Sequence, residues 1–266
     1  MADRDALLRD AQRKLQAQIR DRTPTEYPAW PSLDAYFEPV PQTLEAAVHG
    51  FVPLLQALRG QNDYVQSWRV VRSPEDDAQA TGLDVIADPE GYLRFLRESR
   101  NKSDASRTMS VLGFSDRINP DDPRRYSAQI TYSTSAHPNG SDRVRFNASP
   151  GGVAPVIGFD RWVAMIETMV TWRKARYVAV GHPVFGIHYR VYEHREWMGY
   201  MGWFPQQIAA SDLPDFAILR PIGDGTLVAT QAAPFGSDDA AALDRAAQLE
   251  MALAELGVLP TGQALK

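Results

Sequence analysis

The chain has 266 residues, of which 44% are hydrophobic and 23% charged, and this composition is typical of a soluble globular protein with a substantial core. The formal net charge of −5 argues against a broad nucleic-acid-binding face, and the absence of cysteine excludes disulfides and thiolate metal sites. The N-terminus lacks the apolar run of a signal peptide, and no stretch approaches the ~20 apolar residues of a membrane span. We therefore expect a cytoplasmic protein that makes no direct contact with nucleic acid or membrane.

The start of the chain differs in character from the rest. Residues 1–22 are predicted to form a peripheral helix, because apolar residues recur there at spacings of three or four. Residues 23–41 contain five prolines among four large aromatic residues, so we expect an extended segment held on the protein surface. The same prolines allow a second interpretation, an adaptor in which this segment is recognised by a partner domain. Residues 42–266 are predicted to be one α+β domain that folds together with both segments.

Two helices and a strand are predicted between residues 42 and 100. Apolar residues recur with helical period over 44–58, but Pro53 lies inside the pattern and predicts a kink or a break near Val52. Residues 64–71 have the pattern of a strand. The second helix is predicted over 88–100, because its aspartate followed by proline is a strong helix start.

From Met109 the hydrophobic period changes from helical to alternating, which predicts three strands joined as an antiparallel meander. The strands are expected at residues 109–114, 126–134 and 143–147. In the middle strand, apolar and polar residues alternate, so that one face of the sheet is predicted to be packed and the other wetter. The polar positions of that strand are Ser127, Gln129, Thr131 and Ser133.

The remainder of the chain supplies further helices and strands. A wide apolar stripe predicts a helix over 159–174, a short strand follows over 177–180, and Gly223-Asp224-Gly225 is predicted to turn a hairpin. Ser237 is expected to cap the last helix, and Gly257 to terminate it. We therefore predict a single α+β domain in which an antiparallel β-sheet is packed against helices.

Three evenly spaced histidines, His182, His188 and His194, are the strongest candidates for chemistry. On a continuous strand they would share one face, but positions six apart lie ~20 Å apart, too far to bind one metal ion. Only a chain that folds back, for example at Pro183 and Gly186, could bring them together. A small metal-dependent hydrolase using this segment is therefore one alternative function. Glycine-rich nucleotide loops and the Gly-x-Ser-x-Gly elbow are absent from the sequence, so no cofactor is predicted.

The last third of the chain carries a distinctive pattern of aromatic, glycine and proline positions. Its aromatic residues fit either interface anchors or a tightly packed core. The pattern resembles the immunity protein 52 family over about residues 177–260. It lies in the string Trp197-Met198-Gly199-Tyr200-Met201-Gly202-Trp203-Phe204-Pro205, then Leu213-Pro214, Gly225-Thr226-Leu227-Val228-Ala229, Phe235 and Leu259-Pro260.

Members of that family are cytosolic antidotes encoded beside secreted polymorphic toxins, including nuclease effectors of the type VI secretion system. The resemblance implies a protein that is not an enzyme and that neutralises a cognate toxin by binding it. It supplies no catalytic residue and no cofactor. It also leaves open whether inhibition plugs the toxin's active site or acts at a distance, and whether the protein is a monomer or a dimer.

The resemblance suggests a binding function for two acidic clusters. Alone, they are typical of solvated turns. A nuclease toxin, however, must present basic groups to phosphate, so an acidic loop could cover that surface and speed the encounter. The partner-binding residues predicted on this ground are Glu75, Asp76, Asp77, Asp121 and Asp122.

Overall fold

A computed structural model describes the chain at residues 26–60, 65–70, 82–99, 107–114, 128–134, 142–148 and 157–265. Backbone contacts divide these residues into two compact units. We call residues 31–178 with 265 the meander unit, and residues 26–30 with 179–264 the hairpin unit. The prediction of an α+β fold with an antiparallel sheet is confirmed. The boundaries proposed at residues 22 and 41 stay predictions, and the helix proposed over 1–22 lies outside the described residues.

The strands of the meander unit are β1 Ser32–Phe37, β2 Ser67–Val70, β3 Leu83–Asp84, β4 Arg107–Phe114, β5 Ala128–Thr134, β6 Asp142–Ala148 and β7 Ala175–Gly181, of which the last three residues belong to the hairpin unit. They form a sheet in the order β3, β2, β4, β5, β6, β1 and β7. Neighbouring strands from β3 to β1 pair antiparallel, and the predicted antiparallel meander corresponds to β4, β5 and β6.

The segment expected on the surface contains a buried strand instead. All six residues of β1 are buried, and β1 lies between β6 and β7. The physical reason is the spacing of the prolines. Pro31 and Pro39 flank the strand, but no proline occurs within it, so each of its backbone N–H groups is available to the sheet.

Of the described residues, three helices pack on one face of this sheet: α1 Leu44–Gly60, α2 Pro89–Ser99 and α3 Phe159–Trp172. Phe51 of α1 lies 5.5 Å from the ring of Tyr132, and Trp162 of α3 lies 6.2 Å from the ring of Phe146. All four side chains are buried, so the even-numbered positions of β5 and β6 point into the core. The odd-numbered positions point to the opposite, polar face.

Helix α1 runs through Pro53 without the predicted break. Proline inside a helix costs about 3 kcal/mol because it removes a backbone hydrogen bond and crowds the preceding turn. Seven buried residues of α1 surround that position in the sequence, and their packing outweighs the cost. They are Ala47, Val48, Phe51, Val52, Leu54, Leu55 and Leu58.

The starts of the other helices follow the sequence signals more closely. Asp88 Oδ1 accepts the backbone N–H of Gly91 at 2.8 Å, and Pro89 is the first residue of α2, as predicted. In the hairpin unit, however, the cap of the last helix is Asp239, whose carboxylate accepts the N–H of Ala242 at 2.9 Å. Ser237 bonds instead to the backbone of Tyr27, whose N–H it accepts at 2.8 Å.

The elements of the hairpin unit are α4 Pro183–His188, β8 Met201–Phe204, a 3₁₀ turn Ala210–Asp212, β9 Ile218–Ile222, β10 Gly225–Ala229 and α5 Ala240–Glu255. Its three strands lie in the order β8, β10 and β9, and Val180 at the end of β7 is bridged in parallel to Gly199. Gly223, with φ of 58°, turns the predicted hairpin, and Gly257, with φ of 74°, follows the last helix.

The aromatic residues of the family-like pattern are core residues. Trp197, Tyr200, Trp203 and Phe204 are each at most 9% exposed, so the interpretation as core packing is confirmed. Any surface that binds a partner must therefore be formed by other residues. Among the described helices, none combines the length and the apolar composition needed to cross a bilayer.

Candidate functional site

The acidic residues predicted to bind a partner are Glu75, Asp76, Asp77, Asp121 and Asp122. All five lie outside the described residues, so their role stays a prediction.

The histidine segment is not a continuous strand. His182 caps α4, where its Nδ1 accepts the N–H of Val184 at 3.2 Å, and its ring stacks on Tyr27 at 4.9 Å. Burial lowers the pKa of His182. His188 lies in the last turn of α4, and His194 is exposed beside Tyr192. In the part of the chain that the structure describes, no group of three or more His, Cys, Asp and Glu side chains could hold a metal ion.

The polar face of the meander unit is organised as cross-strand rows. Thr131 on β5 lies opposite Ser110 on β4 and opposite Arg145 on β6, and Arg145 in turn lies opposite Asp34 on β1. The next row consists of Thr108 on β4, Ser133 on β5, Arg143 on β6 and Tyr36 on β1. Directly opposed side chains on one face of a sheet are close enough to interact. On this face, hydroxyl groups therefore lie on β4 and β5, and the charged groups lie on β6 and β1.

At the charged side, two arginines share one buried carboxylate. The Asp34 side chain is 2% exposed, whereas those of Arg143 and Arg145 are 33% and 40% exposed. Asp34 Oδ1 accepts Nε of Arg143 at 3.0 Å and Nε of Arg145 at 2.9 Å. Arg145 Nη2 also donates to Oδ2 at 3.2 Å, and Arg143 Nη2 lies 2.8 Å from Oδ1. We call these three residues the Asp34 cluster.

The charges of the Asp34 cluster do not cancel. One carboxylate and two guanidinium groups leave a local charge of one positive unit. Burial alone would lower the pKa of Arg145, but the hydrogen bond and the charge of Asp34 raise it, so the guanidinium stays charged. The Arg143 guanidinium also lies over the ring of Tyr36, 5.0 Å from its centre. Both cations are therefore held in fixed positions at the surface.

An open groove of about 270 Å³ lies beside these two arginines. Among the described residues that line it, every side chain has a hydrogen-bond donor and none is a carboxylate. The lining residues are Gln129, Thr131, Ser133, Arg143, Arg145 and Asn147. Chemically, such a groove is suited to bind an acceptor group, above all a negatively charged one.

A second ionic network fixes the beginning of β6. The fully buried Asp142 accepts Arg173 Nη1 at 2.7 Å, and the same Nη1 donates to the hydroxyl of Tyr132. Gln42 donates to that hydroxyl at 2.7 Å. Burial raises the pKa of Tyr132 to about 12, although the nearby Arg173 lowers it. The hydroxyl therefore stays protonated, and the network holds β6 against the end of α3.

The hairpin unit has its own buried ionisable group. Glu250 on α5 is 1% exposed, and its oxygens accept the backbone N–H groups of Val191 at 2.9 Å and Met198 at 2.8 Å. Burial raises the pKa of Glu250 to about 7, although hydrogen bonds from Val191, Met198 and Gly199 and the charge of Arg190 lower it. Glu250 holds the loop between α4 and β8 on the last helix, which is a structural role.

Two of the buried carboxylates, Asp34 and Glu250, were not predicted from the sequence. Glu250 follows Ala246 by four residues and precedes Leu253 by three, so its place on the inner helix face was visible in the helical period. Asp34 had no such signal, because its strand was not predicted. Arg143 and Arg145 alternate with Val144 and Phe146, and this alternation already placed them together on the polar face.

No protein-family model matches the chain, and no curated protein matches it. Among solved structures, the chain is similar to the T6SS protein PA0821 of Pseudomonas aeruginosa. The two are 11% identical, the match covers 82% of this chain and 75% of that one, and the TM-score is 0.48.

Proposed function

We propose that the chain is an immunity protein that binds a cognate secreted toxin domain in the cytoplasm, a nuclease effector of a type VI secretion system. It blocks the toxin by contact and performs no chemistry of its own. The resemblance of residues 177–260 to the immunity protein 52 family supports this proposal on the sequence side. In the structure, the observation that supports it most is the polar face of the meander unit.

That face has the properties of a binding surface. Arginine is enriched among the residues that dominate protein interfaces. Binding also costs less entropy when the side chains are already fixed in the free protein. Arg143 and Arg145 meet both conditions, because Asp34 holds both guanidinium groups while at least a third of each side chain stays exposed.

The adaptor alternative is supported less well. Ser32–Phe37, in the middle of the proline-rich segment, are buried in the sheet and are not accessible to a recognition domain. Deleting residues 1–41 would remove β1 and the Asp34 cluster along with the prolines, so that deletion does not test the adaptor function. Replacing Pro39 and Pro41 by alanine tests it without removing the strand.

The function is tested by calorimetric titration with the toxin domain encoded beside the gene, together with rescue of cells that express that toxin. We expect nanomolar binding and rescue, since a free nuclease is harmful at low concentration. As a control, a toxin domain from an unrelated system should bind at least about a thousandfold more weakly, because specificity is a difference of affinities. A folded and active cognate toxin that neither binds nor is neutralised would contradict the proposal.

A further inference from the structure

We propose that the groove over β5 and β6 binds a carboxylate that is presented by an acidic segment of the toxin, with Arg143 and Arg145 as the principal donors. This inference rests on the proposed function, because it names the chemistry of the partner at the polar face. It also adds to the acidic clusters discussed above, which were predicted to meet basic groups.

Arg143 and Arg145 have hydrogen-bond donors that Asp34 does not use. A guanidinium carries more N–H groups than one carboxylate can accept, and Asp34 is shared between two guanidinium groups. All four contacts to Asp34 use Nε and Nη2. The Nη1 groups of Arg143 and Arg145 make no hydrogen bond to another described residue. They remain available to an acceptor from outside.

The groove carries positive charge, although the chain as a whole is acidic. The chain as a whole has a formal net charge of −5, yet the groove has two cations and a single carboxylate that is 2% exposed. Its remaining lining residues are neutral donors: Gln129, Thr131, Ser133 and Asn147. Among the described residues of the lining, an anion in the groove would therefore meet cations and hydroxyl or amide donors, and no exposed negative charge. Complementary charge of this kind fixes the register of a partner and speeds association.

The number and spacing of the cations favour an acidic protein segment over a nucleic acid as the partner. Nucleic acids carry a charge at every phosphate, and their binding needs a stripe of several cations. Arg143 and Arg145 are two residues apart on one strand, so their stems lie about 7 Å apart, and the other described residues of the lining are neutral. Two cations at this distance fit one bidentate carboxylate, or two carboxylates at alternate positions of an extended segment.

The main experiment is calorimetric titration of the cognate toxin domain with the wild-type protein and with Arg143→Gln, Arg145→Gln and Arg97→Gln. Each single change in the groove leaves Asp34 with one arginine partner, so folding is retained and can be checked by thermal unfolding. We expect Arg143→Gln and Arg145→Gln each to weaken binding by at least about tenfold, because a desolvated charge pair is lost. Arg97, on α2 with its side chain 58% exposed, is the matched control, and its change should alter the Kd by less than about twofold.

A fourth variant blocks the groove without removing any arginine. Thr131 lies directly opposite Arg145, so the glutamate of Thr131→Glu can pair with that arginine within the protein. We expect this variant to be folded and to bind the toxin at least about tenfold more weakly, since the partner carboxylate is repelled and its donor is occupied. If toxin binding is retained within about twofold in all three groove variants, the inference is overturned, although the proposed function stands.

A second probe separates the inference from the proposed function. Fluorescently labelled hexaglutamate and hexalysine peptides are titrated by anisotropy at low salt, where weak ionic binding is strongest. If the toxin does not bind, the proposed function fails, and the peptides then decide about the groove. Binding of hexaglutamate that is lost in Arg145→Gln supports the carboxylate site. Absence of hexaglutamate binding, or equal binding of hexalysine, overturns it.

Discussion

The carboxylate of Glu250 lies 2.8 Å from the backbone nitrogen of Met198, and this contact joins the last helix to the loop that enters β8. The same side chain accepts the backbone N–H of Val191 at 2.9 Å. Because the group is 1% exposed, water cannot replace these acceptors if the side chain is lost. One residue of α5 thus satisfies the buried backbone of a loop that has little regular structure of its own.

The raised pKa of Glu250 predicts a defined dependence of stability on pH. Burial raises that pKa from 4.5 to about 7, so the folded protein binds the proton more tightly than the unfolded chain does. The free energy of unfolding should therefore fall as the pH rises from 4.5 to about 7 and be level above that. The contribution of this group is roughly 3 kcal/mol over that range.

The free energy of unfolding can be measured by urea unfolding at several values between about pH 5 and pH 8, which include most of the interval in which this carboxyl titrates. In Glu250→Gln the contribution to the slope should disappear, because the amide does not titrate. Glu255→Gln, on the exposed side of the same helix, is the control and should keep the wild-type slope. An unchanged slope in Glu250→Gln would show that another group is responsible.

Arg173 is predicted to stabilise the meander unit far more than its neighbour Lys174. Replacing Arg173 by methionine removes the cation that pairs with the fully buried Asp142 at 2.7 Å, which should cost about 3–5 kcal/mol. Lys174 pairs with Glu38 at 2.7 Å, but both side chains are at least half exposed, and Lys174→Met should cost less than about 1 kcal/mol. Urea unfolding of the two variants makes the comparison, and equal losses would contradict the network described above.

Two glycines of the hairpin unit should respond very differently to alanine. A Cβ at Gly225 would meet the backbone oxygen of Phe204 at 2.2 Å, so Gly225→Ala must push β10 away from β8 and should cost more than about 2 kcal/mol. At Gly257 nothing lies within 4 Å, but φ is +74°, so only the backbone conformation is unfavourable. Gly257→Ala should cost about 1 kcal/mol. Thermal unfolding ranks the two, and the reverse order would be inconsistent with the close approach at Gly225.

Charge reversal of Glu75, Asp76 and Asp77 to lysine tests the acidic cluster at 75–77. If the toxin presents a basic surface there, binding should weaken by more than about tenfold at moderate salt. Glu98→Lys on the exposed side of α2 is the control for a surface charge change and should have little effect on the Kd. Unchanged affinity in the triple variant would remove this cluster from the interface.

The regular elements were predictable because their residues repeat with one period. Strands β4, β5 and β6 follow the alternation of apolar and polar residues, and α3 follows its wide apolar stripe. Strand β1 was not predicted, since the flanking prolines dominate the local pattern and the strand is specified by pairing with β6. Local signals cannot encode a partner that lies more than a hundred residues away along the chain.

The candidate site was only half predictable for the same reason. Alternation placed Arg143 and Arg145 on one face, but it could not show that a buried aspartate lies between them. The even spacing of the three histidines suggested chemistry, yet His182 caps a short helix, His188 lies in its last turn, and His194 follows after it. A regular interval in sequence has structural meaning only when the secondary structure between its members is known.

The separation of 111 residues between Asp34 and Arg145 has a consequence for synthesis in the cell. Asp34 leaves the ribosome long before β6 exists, and until that strand arrives the carboxylate has neither of its cations. Pairing of such distant segments is slow compared with local helix formation. The two arginines therefore become fixed only when the sheet closes, so a nascent or truncated chain that ends before Asp142 cannot present them. The proposed antidote activity therefore requires a chain in which β6 has been made and has paired with β1.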